Sequence, residues 1–318
     1  MPPRRRFGKR LVKSFLPIVL VLALALVSSL SFIVYCVTRP TRRPYVVTPE
    51  SFARISGRAL KVTDEKWTNR DGRPARGWLL KGTEGAPAVV LLHRYGGDRS
   101  WLFNLGVKIN EATSCTILWP ELRGHGENPL VGWTSLGVRE SDDLLAAMDF
   151  LQTLKSENQK NLVGASFGVY GVELGAYSAL KAAAQDDRIK VLVLDSISGS
   201  PDELLNTAVS NCVAIDNSLV HSLSRLAIKV YMLGGYESTT ACDLAKSLRD
   251  QRVMLLSGAE AGRLRDSTAA LQSCFPNPGN VQSRIDLPLS GFSLPSATGE
   301  QGEAYDRVVI EYFDRNIR

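Results

Sequence analysis

Histidine is scarce in this sequence, and its scarcity limits the chemistry that the chain can perform. The 318 residues include three histidines, and none of them follows His221. Imidazole is the most frequent general base in enzymes and a common ligand of zinc. Such a base can therefore come only from His93, His125 or His221, and nothing in the sequence suggests a bound metal or a nucleotide cofactor.

Cysteine is also sparse. The five cysteines have a spacing that matches no metal-binding pattern. If the main part of the chain lies outside the cytoplasm, a disulfide among Cys212, Cys242 and Cys274 is compatible with the sequence. The pairing cannot be assigned from spacing, and buried free thiols are an equally good alternative.

Acidic residues are absent from the first 43 positions, which carry nine lysines and arginines. The remainder holds 29 basic and 32 acidic residues, so the net charge of +6 belongs to the N-terminal segment. A basic body that binds nucleic acid is therefore not supported.

Charge of either sign is missing from residues 14–38, which are mostly Leu, Val, Ala, Ile and Phe. As a helix these 25 residues would extend about 37 Å, enough to cross a bilayer. Six basic residues precede the run and three follow it, which favours a cytoplasmic N-terminus. We expect a basic cytoplasmic segment (1–13), a transmembrane signal anchor (14–38), a linker (39–58) and an extracytoplasmic domain (59–318), periplasmic in a bacterium. A cleaved signal peptide is the alternative interpretation.

Short apolar runs alternate with helical periodicity beyond residue 59. This alternation predicts an α/β fold with a mostly parallel, doubly wound sheet. A helical segment at 200–226 is a candidate lid. Residues 263–297 could fold over the cleft as a lid or form a solvated surface loop, and the loop is the favoured interpretation. The predicted strands cover residues 59–67, 76–81, 88–92, 115–119, 190–194, 228–233 and 253–256, besides one that precedes Gly164.

The sequence Gly164-Ala-Ser-Phe-Gly168 has the G-x-S-x-G form of a nucleophile elbow. In that geometry Ser166 would lie on a sharp turn between a strand and a helix. Gly164 and Gly168 would remove side chains that otherwise collide across the turn. The motif is short enough to arise by chance, so other parts of the chain must support it.

Two further glycine-rich loops, each after a predicted strand, complete a resemblance to the α/β-hydrolase superfamily. Residues 93–97 (His-Arg-Tyr-Gly-Gly) are similar to its His-Gly-x-x-Gly oxyanion loop, and residues 121–126 (Glu-Leu-Arg-Gly-His-Gly) to its Asp-x-Arg-Gly-His-Gly loop. The resemblance covers residues 59–315 and includes the serine aminopeptidase, dienelactone hydrolase and acyl-thioesterase-like branches. It implies a serine hydrolase of ester, thioester or amide bonds.

The resemblance assigns roles to individual residues. Ser166 would be the nucleophile, and the backbone N–H groups of Phe167 and Tyr95 would stabilise the oxyanion. Arg94 stands where the superfamily usually has glycine, so a positive φ at this position would be strained.

The base and the acid of the expected triad are the weak points. The superfamily places its histidine after the last strand, where this chain has Ala261 or Phe292, neither of which accepts a proton. The acid would be Asp195 or Glu237. His221, in the predicted lid, is the candidate substitute base.

The sequence combines an intact elbow motif with an incomplete triad, and two functions are compatible with this combination. The first is a membrane-anchored serine hydrolase that acts on a small acyl substrate. The second is a catalytically impaired pseudo-hydrolase that acts as a binding or scaffolding module for an unknown protein partner. The intact elbow favours the first, and the missing histidine favours the second.

Overall fold

The computed structural model describes residues 5–57, 60–233, 235–296 and 299–317. Eight strands and ten α-helices alternate along these residues. The strands are β1 (Val62–Thr68), β2 (Pro74–Leu80), β3 (Ala86–Leu92), β4 (Thr116–Pro120), β5 (Val163–Val172), β6 (Ile189–Asp195), β7 (Arg252–Gly258) and β8 (Val281–Leu287). The helices are α1 (Arg5–Thr38), α2 (Pro49–Ser56), α3 (Phe103–Thr113), α4 (Glu140–Thr153), α5 (Leu174–Ala183), α6 (Pro201–Val213), α7 (Ser218–Tyr231), α8 (Ala241–Ala245), α9 (Arg263–Leu271) and α10 (Gly299–Asn316).

The strands form one sheet in the order β1-β2-β4-β3-β5-β6-β7-β8. β2 is antiparallel to β1 and β4, and every other pair of neighbours is parallel. The central strands are continuous apolar runs because helices cover both of their faces. The predicted fold class, an α/β fold with a mostly parallel sheet, is confirmed.

Alternate side chains of β3 enter two separate apolar layers. Val89 and Leu91 pack in the layer of α3 and α10, which includes Phe103 and Phe313. Val90 packs in the opposite layer, with α4 and α5. The carboxyl ends of the parallel strands all lie at one edge of the sheet. Ligand-binding and active sites in such folds are usually found at this edge.

Two sequence predictions about strands are wrong. Residues 228–233 were expected to form a strand, but α7 extends to Tyr231. The last strand is β8, which lies inside the expected loop 263–297. β8 alternates buried and exposed residues because it is the edge strand, so it lacks the apolar run by which the inner strands were found.

Helix α1 contains the segment Phe15–Thr38, which is long and apolar enough to cross a membrane by length and composition. Most of this segment is exposed, but Ile33, Val34 and Val37 are buried against α6 and α7. The expected linker 39–58 contains α2, and Phe52 of this helix makes an edge contact with Phe103 of the domain. Ala59, where the first strand was expected to begin, lies outside the described residues.

Four of the five cysteines form disulfides. Cys36 of α1 pairs with Cys212 of α6, and Cys242 of α8 pairs with Cys274 after α9. Cys115, just before β4, is buried. Helix α1 and the domain are thus covalently connected near the point where the apolar segment ends.

Candidate functional site

The sharp strand-to-helix turn of this fold lies at Glu173. Strand β5 continues to Val172 and α5 begins at Leu174, while Glu173 has φ 50° and ψ −102°. A non-glycine residue in this region is strained, and such strain concentrates at functional sites. Gly171 and Gly175 flank it: an added Cβ would lie 2.5 Å from the Gly175 backbone at the first position and 2.3 Å from the Leu92 carbonyl oxygen at the second.

The prediction that Ser166 lies on this turn is wrong. Ser166 is inside β5, near its amino end, seven residues before Glu173. The amide of Phe167 donates to the Arg188 carbonyl (2.9 Å), so it does not stabilise an oxyanion. Gly164 and Gly168 are needed for close packing: a Cβ at Gly164 would lie 2.7 Å from the Gly85 carbonyl oxygen, and one at Gly168 would meet side chains of α10 at 2.7 Å.

The loop after β3 reaches the turn, as expected. The amide of Tyr95 donates to Glu173 Oε2 at 3.1 Å, so the carboxylate occupies the donor that was predicted to bind an oxyanion. His93 braces this loop, since its Nδ1 lies 2.9 Å from the Arg94 carbonyl and its Nε2 accepts from the Leu122 amide at 3.2 Å. The positive φ in the loop falls on Gly96, so Arg94 is not strained in the way that the sequence suggested.

The Arg94 side chain is held at the site by aromatic rings. Its guanidinium lies 4.3 Å from the ring centroid of Trp101 and 5.1 Å from that of Phe292. Burial lowers the pKa of Arg94, and the carboxylate of Glu173 opposes this effect. Arg94 therefore places a positive charge beside Glu173. Among the described residues that line the cleft, Glu173 is the one acidic residue with a positive φ.

The loop after β7 supplies an acid that sequence reasoning missed. Glu260 accepts hydrogen bonds from the Ser290 amide (2.7 Å), the Ser290 hydroxyl (3.1 Å) and the Ser293 hydroxyl (3.0 Å). Burial raises its pKa, but these hydrogen bonds outweigh burial and hold the pKa below its usual value. Phe292, one of the two expected histidine positions, lies in this partner loop after β8, whereas Ala261 follows β7.

Neither of the two acids that the sequence proposed lines the cleft, although the Asp195 carbonyl accepts from the Glu173 amide at 3.0 Å. Asp195 ends β6 and is fully buried, where it accepts from the Gly291 amide (2.9 Å), the Ser196 hydroxyl (2.7 Å) and the Tyr305 hydroxyl. Burial raises the pKa of Asp195 to about 6. Its bonds join β6 to the loop after β8 and to α10. Glu237 is mostly exposed and pairs with Lys181 (3.0 Å).

A cleft of about 650 Å³ opens above Glu173 at the carboxyl edge of the sheet, beneath α6 and α7. His221 lines it, with Nε2 3.0 Å from the Ser210 hydroxyl and 3.7 Å from Asp216 Oδ1. The predicted substitute base therefore faces the cleft but not Ser166. The charged residues of the lining are Arg94, Glu173, Asp202, Glu203, Asp216, Glu260 and Arg263.

Glu173 is the acidic residue of the cleft whose pKa lies near neutral pH. Burial raises its pKa to about 7, and the positive charge of Arg94 only partly opposes this effect. At neutral pH the carboxyl group is thus divided between its protonated and ionised forms, so it can donate or accept a hydrogen bond. His125, by contrast, is buried behind the loop and its pKa is lowered to about 4 by burial.

Comparisons with known proteins agree on the architecture. An esterase of Pyrococcus furiosus superposes with a TM-score of 0.61 at 17% identity, covering 88% of this chain and 98% of that one. The acylaminoacyl peptidase of Pyrococcus horikoshii gives 0.60 at 15% identity, over 84% of this chain and 44% of that one. A dienelactone hydrolase of Anabaena variabilis gives 0.52 at 13% identity, over 82% and 100%.

The chain has the α/β-hydrolase fold. No family model matches its sequence. An uncharacterized 31.7 kDa protein of Escherichia coli, from the traX-finO intergenic region, is 26% identical over 135 residues. That match covers 42% of this chain and 44% of the other protein.

In the α/β-hydrolase fold the nucleophile, the acid and the histidine follow one another along the chain, beginning at the strand-to-helix turn. Here the turn carries Glu173, the loop after β7 carries Glu260, and the loop after β8 carries Ser290 and Phe292. The acid position thus keeps a carboxylate, but its partner is a serine and not an imidazole.

The signal for Glu173 was present in the sequence. Gly171-Val-Glu-Leu-Gly175 repeats the glycine spacing of Gly164–Gly168 seven residues later, with glutamate at the central position. The apolar run between the two motifs extends β5 to the second one. The two glycine motifs differ in their position relative to β5. Gly164–Gly168 lies inside the strand and serves packing, whereas Gly171–Gly175 spans its end and forms the turn.

Proposed function

We propose that this chain is a membrane-anchored pseudo-hydrolase, a protein of α/β-hydrolase fold that binds a small polar ligand in its cleft and lacks serine-dependent turnover. One observation carries the proposal. The turn that presents the nucleophile in this fold presents Glu173, and its carboxylate already accepts the Tyr95 amide.

This contact weakens the case for acyl transfer. An oxyanion-hole donor typically contributes about 3 kcal/mol to the transition state, provided that the donor is free to bind the developing charge. In this chain the Tyr95 amide is engaged by the protein's own carboxylate. The loop after β8 supplies no imidazole, so neither a serine nor a carboxylate at the turn would have the usual base.

The composition of the cleft suggests the class of ligand. Five carboxyl groups line it, against two guanidinium groups and His221. Each of these carboxylates already has a partner in the protein, so the excess of negative charge, and not a missing hydrogen bond, favours a ligand that presents an amino group or several hydroxyl donors. Glu173 lies at the floor of the cleft. A volume of about 650 Å³ suits a small molecule and not a folded partner.

The membrane part of the proposal rests on the apolar segment Phe15–Thr38 and the charges around it. The N-terminus would be cytoplasmic and the domain extracytoplasmic. The two disulfides support this orientation, because disulfides persist in oxidising compartments.

Labelling with a fluorophosphonate probe tests the loss of serine chemistry. We expect the folded full-length chain in detergent to remain unlabelled, and Ser166→Ala to behave identically. A secreted serine hydrolase in the same tube confirms that the probe is active. Labelling of the wild type that Ser166→Ala abolishes would overturn the proposal.

A parallel assay of ester hydrolysis separates binding from carboxylate-based catalysis. The wild type and Glu173→Gln should both release p-nitrophenol from its acetate ester at the background rate. Turnover by the wild type that Glu173→Gln removes would show that the carboxylate is catalytic, and the binding function would then be wrong.

A further inference from the structure

Helix α7 exposes an apolar stripe that the cleft does not use. Leu219, Leu226 and Val230 are 66%, 61% and 66% exposed, and Leu233, just after the helix, is 92% exposed. Spacings of seven, four and three residues place the helical members on one face and continue it beyond the last turn. A protein surface in water rarely exposes such a contiguous apolar patch.

The position of this stripe is fixed relative to α1. The opposite face of α7 packs on the end of α1, where Val34 and Val37 are buried together with Ile228. The disulfide between Cys36 and Cys212 locks α6, the neighbour of α7, to the same end of α1. α1 and α6 therefore cannot separate without breaking a covalent bond, and α7 is held between them by packing.

Between α1 and α7 runs a groove of about 610 Å³, walled mostly by apolar side chains. The side chains with polar atoms in its lining are those of Ser31, Tyr35, Thr38, Arg39 and Tyr231. The other lining residues are Val27, Leu30, Val34, Leu223, Leu226, Ala227 and Val230.

The position of the groove along the apolar segment Phe15–Thr38 determines which part of a bilayer it would face. The 24 residues Phe15–Thr38 form about 36 Å of helix, and the hydrocarbon core of a bilayer is about 30 Å thick. With the core centred on this segment, only about two residues at each end lie outside it. Val27, Leu30 and Val34 then lie at hydrocarbon depth, and so does the groove that they share with α7.

The charges and aromatic rings agree with this placement. Arg39, Arg42 and Arg43 follow the span and are exposed, at the level where lipid phosphates would lie. The guanidinium of Arg39 lies 4.6 Å from the ring centroid of Tyr35, and Tyr231 lies across the groove. Tyrosine and arginine at this boundary are typical of a membrane interface.

We propose that α7 is an interfacial membrane helix, and that its apolar stripe and the α1–α7 groove are filled by acyl chains of the leaflet beside the folded domain. The proposal rests on the membrane anchor of the proposed function. It places α7, which also carries His221 toward the cleft, between the bilayer and the ligand site.

Site-directed spin labels in the full-length chain, reconstituted into phosphatidylcholine–phosphatidylglycerol nanodiscs, test this arrangement. Leu226→Cys and Val230→Cys report on the stripe. Val21→Cys, in the middle of the span, is the lipid reference, and Lys160→Cys, in a loop at the amino edge of the sheet, is the water reference. The unsubstituted chain measures background labelling of its own cysteines.

The readout is the collision rate of each label with oxygen relative to a water-soluble nickel chelate. At Leu226→Cys and Val230→Cys this ratio should be several-fold higher than at Lys160→Cys and approach that of Val21→Cys. If both match Lys160→Cys while Val21→Cys stays in lipid, the anchor stands and the α7 proposal is wrong. If Val21→Cys is itself in water, the membrane anchor fails, and the α7 proposal fails with it.

Discussion

Glu173 combines a strained backbone with a buried carboxyl group, and both features cost stability. Burial raises its pKa to about 7, from 4.5 for an exposed glutamate. The folded state therefore binds a proton more tightly than the unfolded chain does. The stability associated with that proton is fully present below pH 4.5 and is lost as the pH rises through 7.

The variant Glu173→Gln removes this titration while keeping an acceptor for Tyr95. We expect it to be more stable than the wild type at pH 8 by about 1–3 kcal/mol, because the wild type must then bury a charge. The difference should shrink toward zero near pH 4.5. Urea unfolding of the full-length chain in detergent at the two pH values measures it.

Glu260→Gln provides a control of opposite sign. Hydrogen bonds from Ser290 and Ser293 outweigh burial and hold the pKa of Glu260 below its usual value. Its stabilisation is therefore present at neutral pH and is lost as the pH falls through the folded-state pKa. Equal pH profiles for the two variants would contradict the assignment of Glu173 as the group with the raised pKa.

At the scale of elements, the sequence predicts the strands whose side chains are buried on both faces of the sheet. β3, β4 and β6 are continuous apolar runs, and their positions were predicted within a few residues. β8 is an edge strand with alternating exposure, so its pattern resembles that of a surface loop. Residues 228–233 are rich in β-branched and aromatic side chains, which favours a strand, but in the structure α7 continues through them to Tyr231, with Ile228 buried against α1 and Val230 exposed.

The error in these two elements explains why the acid and histidine positions were misplaced, whereas the misplacement of Ser166 comes from the length of β5. If residues 228–233 are counted as a strand, β7 becomes the last strand of the sheet. The acid is then assigned to Glu237, in the loop before β7, although the loop that carries the acid is the one after β7. Ala261 then falls in the histidine position. Moving the count by one strand brings Glu260 to the acid position and Phe292 to the loop after the last strand.

The disulfide between Cys242 and Cys274 gives a prediction for α8 and α9. It closes a segment with a sequence separation of 32 residues, which includes β7 and α9. Replacing both cysteines by serine should lower the free energy of unfolding by about 2–4 kcal/mol, since the unfolded chain gains conformational freedom. Urea unfolding without reductant measures the loss.

Thiol counting checks the pairing that this prediction assumes. In denaturant and without reductant, the wild type should react with a thiol reagent at Cys115 alone, because the other four cysteines are oxidised. The double serine variant should give the same count. A higher count in the variant would mean that Cys242 and Cys274 are not partners of each other.

At the scale of the whole molecule, the end of the apolar helix α1 and the cleft are connected by packing and by hydrogen bonds. α1 enters the domain beside α6 and α7, the helices that cover the cleft, and the Tyr95 hydroxyl donates to the Val37 carbonyl at 2.8 Å. The same tyrosine donates its amide to Glu173. Tyr95 therefore joins the end of α1 to the carboxylate of Glu173.

The orientation of the chain determines whether this cleft faces the cytoplasm. Six basic residues precede the apolar segment and three follow it, so the end with more positive charge should stay in the cytoplasm. Gly8→Cys and Lys160→Cys mark the two sides. In spheroplasts of an expressing bacterium, a membrane-impermeant maleimide should label Lys160→Cys directly and Gly8→Cys only after permeabilisation. The reverse pattern would place the domain in the cytoplasm, where the two disulfides would be reduced and the tether between α1 and α6 would be lost.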